Sequence, residues 1–299
     1  MISLVTNVTS LFAQQQLNIN DNSESNTIEQ LSSGYRINNS GDDAAGLAVA
    51  NGIQAEVAEL SQGVINAANG SSTLQIIDGG LSNISGLLDR LETLATEGAS
   101  GTFSGSYTTL NNEFQTDLGE ITRQAGNIGM ASTLASGGLG TVTTTGTIGA
   151  SQYNTNPLAV FIGGGDSNTA TDDQVSIDLT SNGGTGGNGV DSLGLGLSTS
   201  TVLTATDAAT ALTAIQSAIQ TLGTVQGKVG AGENLLNYAT NLANAQITNL
   251  TSSESSIKDA NVAAEAADLA QSQTLQQSTI AAMAQANSMP QALLKLLQG

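Results

Sequence analysis

The sequence predicts a mainly α-helical chain: a long antiparallel rod or coiled coil built from both ends, with a small β-hairpin region between them. Three observations predict it. Apolar residues recur in steps of three and four from Ile53 to Ala95 and again from Leu212 to Val229, the period of helices packed along their length. Proline occurs only as Pro157 and Pro290. Between the two helical zones, Gly, Thr and Ser dominate 131–205 and the periodicity stops.

The first zone reads as helix with one break. Turn-forming residues from Ser32 to Asp43 interrupt it. Beyond them the stripe runs Ile53, Val57, Leu60, Val64 and Ala67, then Leu74, Ile77, Leu81, Ile84, Leu88, Leu91 and Ala95. The step from Leu74 to Ile77 departs from heptad order and is expected to overwind the local supercoil. A second helix, from about Tyr107 to Asn127, carries Leu110, Phe114, Leu118 and Ile121.

In the centre, Leu158–Ile162 and Gln174–Leu179 read as strands, separated by turn residues that include Gly163–Asp166 and Asp172–Asp173. Together they predict a hairpin with a long loop. Flanking stretches at 135–150 and 181–189 read as surface loops. The last zone is helical again through Leu212, Ile215, Ile219, Leu222 and Val229, with Leu235, Tyr238, Leu242, Ile247, Leu250 and Ile257 extending the apolar side. A final segment holds Leu275, Ala282, Met289, Leu293, Leu296 and Leu297, and Pro290 is expected to kink or restart it. If the two ends pair, the chain is a hairpin-shaped rod with its termini together, which suits a fibre subunit.

Composition narrows the chemistry. Six Lys and Arg against 25 Asp and Glu give a net charge of −19. Six scattered cations cannot neutralise a nucleic-acid backbone, and an anionic membrane would repel the chain. With no His and no Cys, triad and thiol catalysis, His- or Cys-ligated zinc and disulfides are excluded. Aromatics make up 3% and Trp is absent, poor material for a ligand pocket. Composition leaves an all-carboxylate metal site or a carboxylate-pair hydrolase open, but the chain reads as neither an enzyme nor a cofactor or metal protein. Leu, Ile, Val and Phe amount to about 23%, close to the limit below which charged chains fail to fold alone, so partner subunits are expected to cover its stripes. Its first cation is Arg36, which is incompatible with the basic start of a conventional secretory leader, and no apolar run reaches membrane-spanning length.

Individual features carry bland readings beside sharp ones. Asp42 and Asp43 could act as acid and base or hold an ion, but a cap for the Ala-rich helix that follows accounts for them better. The loop from Gly163 to Asp173 resembles one copy of a calcium-binding repeat, for which an ordinary turn is the simpler account. Sequon-like triplets at Asn7, Asn38, Asn69, Asn83 and Asn249 fall mostly on packed helices and read as coincidence. The Ser/Thr-rich stretch 141–156 is the better candidate for O-linked glycans. Leu293, Leu294, Leu296 and Leu297 end the chain with no globular body beside them, and such patches mark interaction sites.

Two long stretches carry a family likeness. Ile28-Glu29-Gln30-Leu31-Ser32-Ser33-Gly34-Tyr35-Arg36-Ile37-Asn38, followed by Gly41-Asp42-Asp43-Ala44-Ala45-Gly46-Leu47-Ala48-Val49-Ala50, closely resembles the N-terminal signature of bacterial flagellins. Ser256-Ile257-Lys258-Asp259-Ala260-Asn261-Val262-Ala263-Ala264-Glu265, Leu275-Gln276-Gln277 and Ala284-Gln285-Ala286-Asn287-Ser288-Met289-Pro290-Gln291-Ala292-Leu293-Leu294 resemble that family's C-terminal motifs. Val190–Leu195 resembles the turn that closes its β-hairpin, and only about ten residues separate it from the next helix.

The resemblance implies filament-core helices at 1–40 and 256–299 and two halves of a helical rod domain at 41–130 and 206–255. A hairpin and surface loops would fill 131–205, with no large outer domain. It implies self-assembly into the hollow helical filament that transmits motor torque; a hook–filament junction protein of the same superfamily is the alternative. Implied partners are further copies of the chain, junction and cap proteins, an export chaperone and the type III export apparatus. Weak recognition by host Toll-like receptor five is implied too, because Arg90 and Leu94 fit the recognised pattern whereas Glu92 and Thr93 depart from it. Localisation would be extracellular, in the flagellum, without a cleaved leader. Expected contact residues are Arg36, Asp42, Asp43, Arg90, Leu94, Arg123, Lys258, Met289, Leu293, Leu294, Leu296 and Leu297. The cations among them are expected to pair with carboxylates of neighbouring copies, so assembly of so acidic a chain should quicken as salt rises from low levels.

Overall fold

The computed structural model describes residues 7–132, 153, 157–163, 173–180 and 189–298, with side chains as far as Met289. In order, the elements are α1 (Val8–Ser33), α2 (Ala44–Ala99), α3 (Tyr107–Asn127), β1 (Leu158–Phe161), β2 (Gln174–Ile177), α4 (Ala205–Lys258) and α5 (Val262–Gln298). They fold as two compact units, one of Met1–Val57 with Thr248–Gly299, the other of Ala58–Ile247. Among the described residues, no helix is long and apolar enough to cross a membrane.

The Ala58–Ile247 unit is organised by one seam. Along α2 the seam of this unit runs through buried positions 60, 63, 67, 70, 74, 77, 81, 84, 88, 91, 95 and 98, with Gly80 and Leu94 buried beside it, alternating steps of three and four without a break. The departure expected at Leu74–Ile77 therefore does not occur. Gly63 and Gly70 hold the seam where the apolar stripe falters, because the hairpin lies against them. A Cβ on Gly63 would stand 1.7 Å from the Ile162 carbonyl oxygen, and one on Gly70 would stand 2.8 Å from Val160 Cγ2.

Opposite, α4 buries Ala208, Ala211, Ile215, Ala218, Leu222, Val225, Val229, Gly232 and Leu236. It runs antiparallel to α2, with Ala208 beside Gly98 and Leu236 beside Gly70. On α3, Leu110, Phe114, Leu118, Ile121 and Ala125 are buried, and Ser106 caps the helix by accepting the Thr109 N–H. Leu110 lies beside Gly98 and Ile128 beside Gly80, so α3 too runs antiparallel to α2. Each large side chain so buried contributes about 1.5–3 kcal/mol.

β1 and β2 pair antiparallel from Leu158 opposite Ile177 to Phe161 opposite Gln174, one or two residues short of the predicted runs. The hairpin buries Val160, Ile162, Ile177 and Leu179. It is tied to α2 where Asn66 Nδ2 donates to the Phe161 carbonyl at 3.1 Å, and to α4 where Lys228 Nζ donates to that of Thr180 at 2.5 Å. The turn after it docks through Val190 N–H on the Met130 carbonyl at 2.8 Å. Most of the hairpin loop, the candidate glycan stretch 141–156 apart from Tyr153, and nearly all of the two stretches read as surface loops lie outside the described residues.

In the other unit, α1 and α5 form an antiparallel pair. Its seam runs Ser10, Ala13, Leu17, Asn20, Glu24, Thr27 and Leu31 on α1, and Glu265, Leu269, Ser272, Gln276, Thr279, Met283 and Ala286 on α5. Both keep three-four spacing, yet half or more of each seam is polar. Pro290 does not restart the last helix, since α5 continues through it to Gln298. The Ala286 carbonyl, which a proline four residues on leaves without its helical N–H, accepts from Asn7 Nδ2 at 2.9 Å.

Candidate assembly surfaces

The terminal pair keeps Leu17, Leu31, Leu269 and Met283 in its seam but turns most of its other large apolar residues outward. Val8, Leu11, Phe12, Ile19 and Ile28 on α1 are exposed, with Leu11 and Phe12 at 66% and 61%; on α5 so are Leu275, Ile280 and Met289, the last at 54%. Leu275 and the expected contact residue Met289 lie on this outer face rather than in the seam. The side chains of Leu293, Leu294, Leu296 and Leu297 lie beyond those described, although the backbone there is helical. On α4 a second outward stripe of Leu235, Tyr238 and Leu242 is exposed, because the buried track passes through Gly232, Leu236 and Ala243 instead.

Where α1 and α4 end, their terminal carbonyls meet. Gly34 (φ 78°) caps α1 and its carbonyl accepts from Ala260 N–H at 2.9 Å. In return Arg36 N–H donates to the Lys258 carbonyl at 2.7 Å, and Arg36 Nη2 donates to that of Ile257 at 2.7 Å. Lys258 Nζ lies 4.8 Å from the centre of the Tyr35 ring. Two helix C-termini, each carrying partial negative charge, converge here, which accounts for two of the chain's six cations at one junction. Asp42 Oδ2 accepts from the N–H groups of Asn38 and Asn39 at 3.0 and 2.8 Å and orders the connection into α2. Asp43 Oδ1 accepts from Gly46 N–H at 2.8 Å, the capping role preferred from the sequence.

The remaining expected contact residues sit in the Ala58–Ile247 unit. Arg90 on α2 holds Glu113 of α3 through Nε and Nη2, both on Oε1, and the carboxylate raises its already high pKa. Beside this pair, burial and the Glu113 charge raise the pKa of Asp117, whose Oδ2 is buried without a hydrogen-bond partner. Arg123 grips Glu120 with two bonds of 2.7 and 2.5 Å, and with Gln124 it lowers the Glu120 pKa to about 2. Both arginines are thus engaged within the chain. Leu94, expected at a subunit contact, is 1% exposed. Its position falls beside the α2 seam and commits it to the unit's own core.

Sequence reasoning missed Asp191. Its Oδ1 accepts from Gly194 N–H at 2.9 Å while Oδ2 is buried without a partner, and burial raises its pKa against the pull of the Gly194 and Ser132 N–H groups. In the sequence, Val190–Leu195 read only as a turn closing the hairpin, with no role for its carboxylate. Among the described residues, no three potential ligands cluster to hold a metal ion, and a small cleft between Asp173–Val175 and Leu242–Gln246 is walled mainly by apolar side chains. Exposed apolar faces, rather than a pocket, are the feature that the structure offers for recognition.

Comparison with known proteins agrees. A family model described as the bacterial flagellin N-terminal helical region matches residues 4–137, and one for the C-terminal helical region matches 212–297. The flagellin of Listeria innocua is 31% identical over 296 residues, spanning 98% of each chain. That of Halalkalibacterium halodurans is 29% identical over 302 residues, again 98% of each. The flagellar filament 30.7 kDa core protein of Treponema maltophilum is 29% identical over 97% of this chain and 98% of its own.

Proposed function

Because this chain belongs to the bacterial flagellin family, we propose that its terminal helices polymerise through their outer faces, copy against copy, into a hollow filament core. The chain is a structural subunit of a flagellar filament, from a family of structural proteins rather than enzymes. One observation supports the assignment of faces: Leu11, Phe12, Ile19, Ile280 and Met289 are exposed around a seam of Ser10, Asn20, Thr27, Ser272 and Thr279. A two-helix pair with its oil outside gains little by folding alone and much by stacking.

The finer division of labour is part of the same proposal. Segments 1–40 and 256–299 form the filament core, and 41–130 with 206–255 pack subunit to subunit around it. Segment 131–205 supplies the hairpin and surface loops. Arg36, Asp42, Asp43 and Lys258 hold the core helices in place for assembly, and Met289 with the leucines at 293, 294, 296 and 297 is buried in it. The subunit acts outside the cell after export without a cleaved leader. Its partners are the export chaperone and apparatus, the junction and the cap; recognition by the host receptor is weak. Electron microscopy of the purified protein under assembly conditions tests the reading. Long hollow tubes are expected, and a solution of single molecules at high concentration and moderate salt would contradict it.

A further inference from the structure

Among the described residues, three hydrogen bonds cross the seam between α1 and α5. Asn20 Nδ2 donates to Thr279 Oγ1 at 3.2 Å, Gln276 Nε2 to Asp21 Oδ1 at 2.7 Å, and Asn7 Nδ2 to the Ala286 carbonyl at 2.9 Å. The third differs in kind. A carbonyl inside a helix is normally filled by the N–H four residues later, and for Ala286 that residue is Pro290, which has none. No other proline lies in α5, so Ala286 presents its one interior carbonyl that the helix cannot fill for itself.

Asn7 addresses both helices at once. Its Oδ1 caps α1, accepting from Ser10 N–H at 3.2 Å and Thr9 Oγ1 at 2.7 Å. Its Nδ2 faces the other way and fills the gap in α5. A seam that repeats every seven residues offers near-equivalent pairings one heptad apart, and polar groups at such seams select among them. Slipped by one heptad, Asn7 would face a carbonyl already satisfied by its own helix. We propose that Asn7 is the register-determining residue of the terminal pair, acting through the acceptor that Pro290 leaves open on Ala286. The proposal concerns the pairing of two helices of one chain.

The absence of native cysteine makes the test direct. In full-length protein, Asn20→Cys is combined with Thr279→Cys to report the native register, or with Ser272→Cys to report a slip of one heptad. The ratio of the two disulfide yields is compared in four backgrounds: unaltered, Asn7→Ser, Pro290→Ala, and both together. Serine keeps the capping oxygen but removes Nδ2. Each single change should lower the native-to-slipped ratio about fivefold, the factor one net hydrogen bond is worth, and the double change should lower it no further. A ratio unmoved by either single change overturns the proposal. So does a double variant whose loss is the product of the two. Simple unfolding or loss of capping would depress both yields together without moving the ratio, and that result also overturns it.

Discussion

The two units share a spacing and invert its chemistry. Around α2, Leu60, Leu74, Ile77, Leu81, Leu88 and Phe114 are buried. Between α1 and α5 the same three-four spacing collects serine, threonine, asparagine and glutamine, while Leu11, Phe12 and Met289 are exposed. One unit therefore completes its core within the chain, and the other leaves its apolar area for something else to cover. Heptad period alone says that helices pack; which residues occupy the seam says whether the packing is finished.

Several changes should sharpen that contrast. Leu88→Ala or Phe114→Ala should cost the Ala58–Ile247 unit about 3–5 kcal/mol, read as a lower midpoint in chemical denaturation. Phe12→Ser should leave that midpoint unchanged and instead raise the critical concentration for assembly at least tenfold, the equivalent of about 1.5–3 kcal/mol of lost burial. A matching loss of monomer stability would erase the distinction between the units. Gly63→Ala should cost roughly 1–3 kcal/mol, because the new Cβ meets the Ile162 carbonyl, and should appear as faster amide exchange in β1.

Acid–base effects are smaller. Burial raises the Asp191 pKa in the fold above the ordinary aspartate value. Its contribution is thus fully present below that value and is lost as pH rises through the native one. Asp191→Asn should flatten this part of the stability profile. Glu120 has the opposite sign, since its pKa falls from 4.5 to about 2. Its contribution holds above pH 4.5 and is lost as pH falls toward 2, with little effect because the pair is exposed. Least of all, raising salt from low ionic strength should quicken assembly by screening like charge; a rate that falls with salt would contradict this.

Much of the fold could be read from apolar spacing. The stripe from Leu60 to Ala95, the helix from Tyr107 to Asn127 and the hairpin all rest on side chains that advertise their burial. What stayed hidden had no apolar label. Gly63 and Gly70 belong to the α2 seam but carry no side chain, so the stripe seemed to stutter at Leu74–Ile77. Ser10, Asn20 and Gln276 form the terminal seam, but their polarity carried no sign of it, and Leu275, placed on an apolar stripe, is exposed. Pro290 read as a kink or restart because its compensation, Asn7, lies 283 residues away. For the site, the capping role of Asp43 was legible from its place before an Ala-rich run. The engagement of Arg90 by Glu113 was not, because only the docking of α3 on α2 brings them together.

The claim that matters most is that the outer faces of α1 and α5 are covered by neighbouring copies. Hydroxyl-radical footprinting of Phe12 and Met289, compared between soluble chain and sedimented filament, tests it most directly. Labelling of both residues should drop at least severalfold on assembly, while half-buried Met283 in the seam changes much less. Equal labelling of Phe12 and Met289 in the two states would contradict the account.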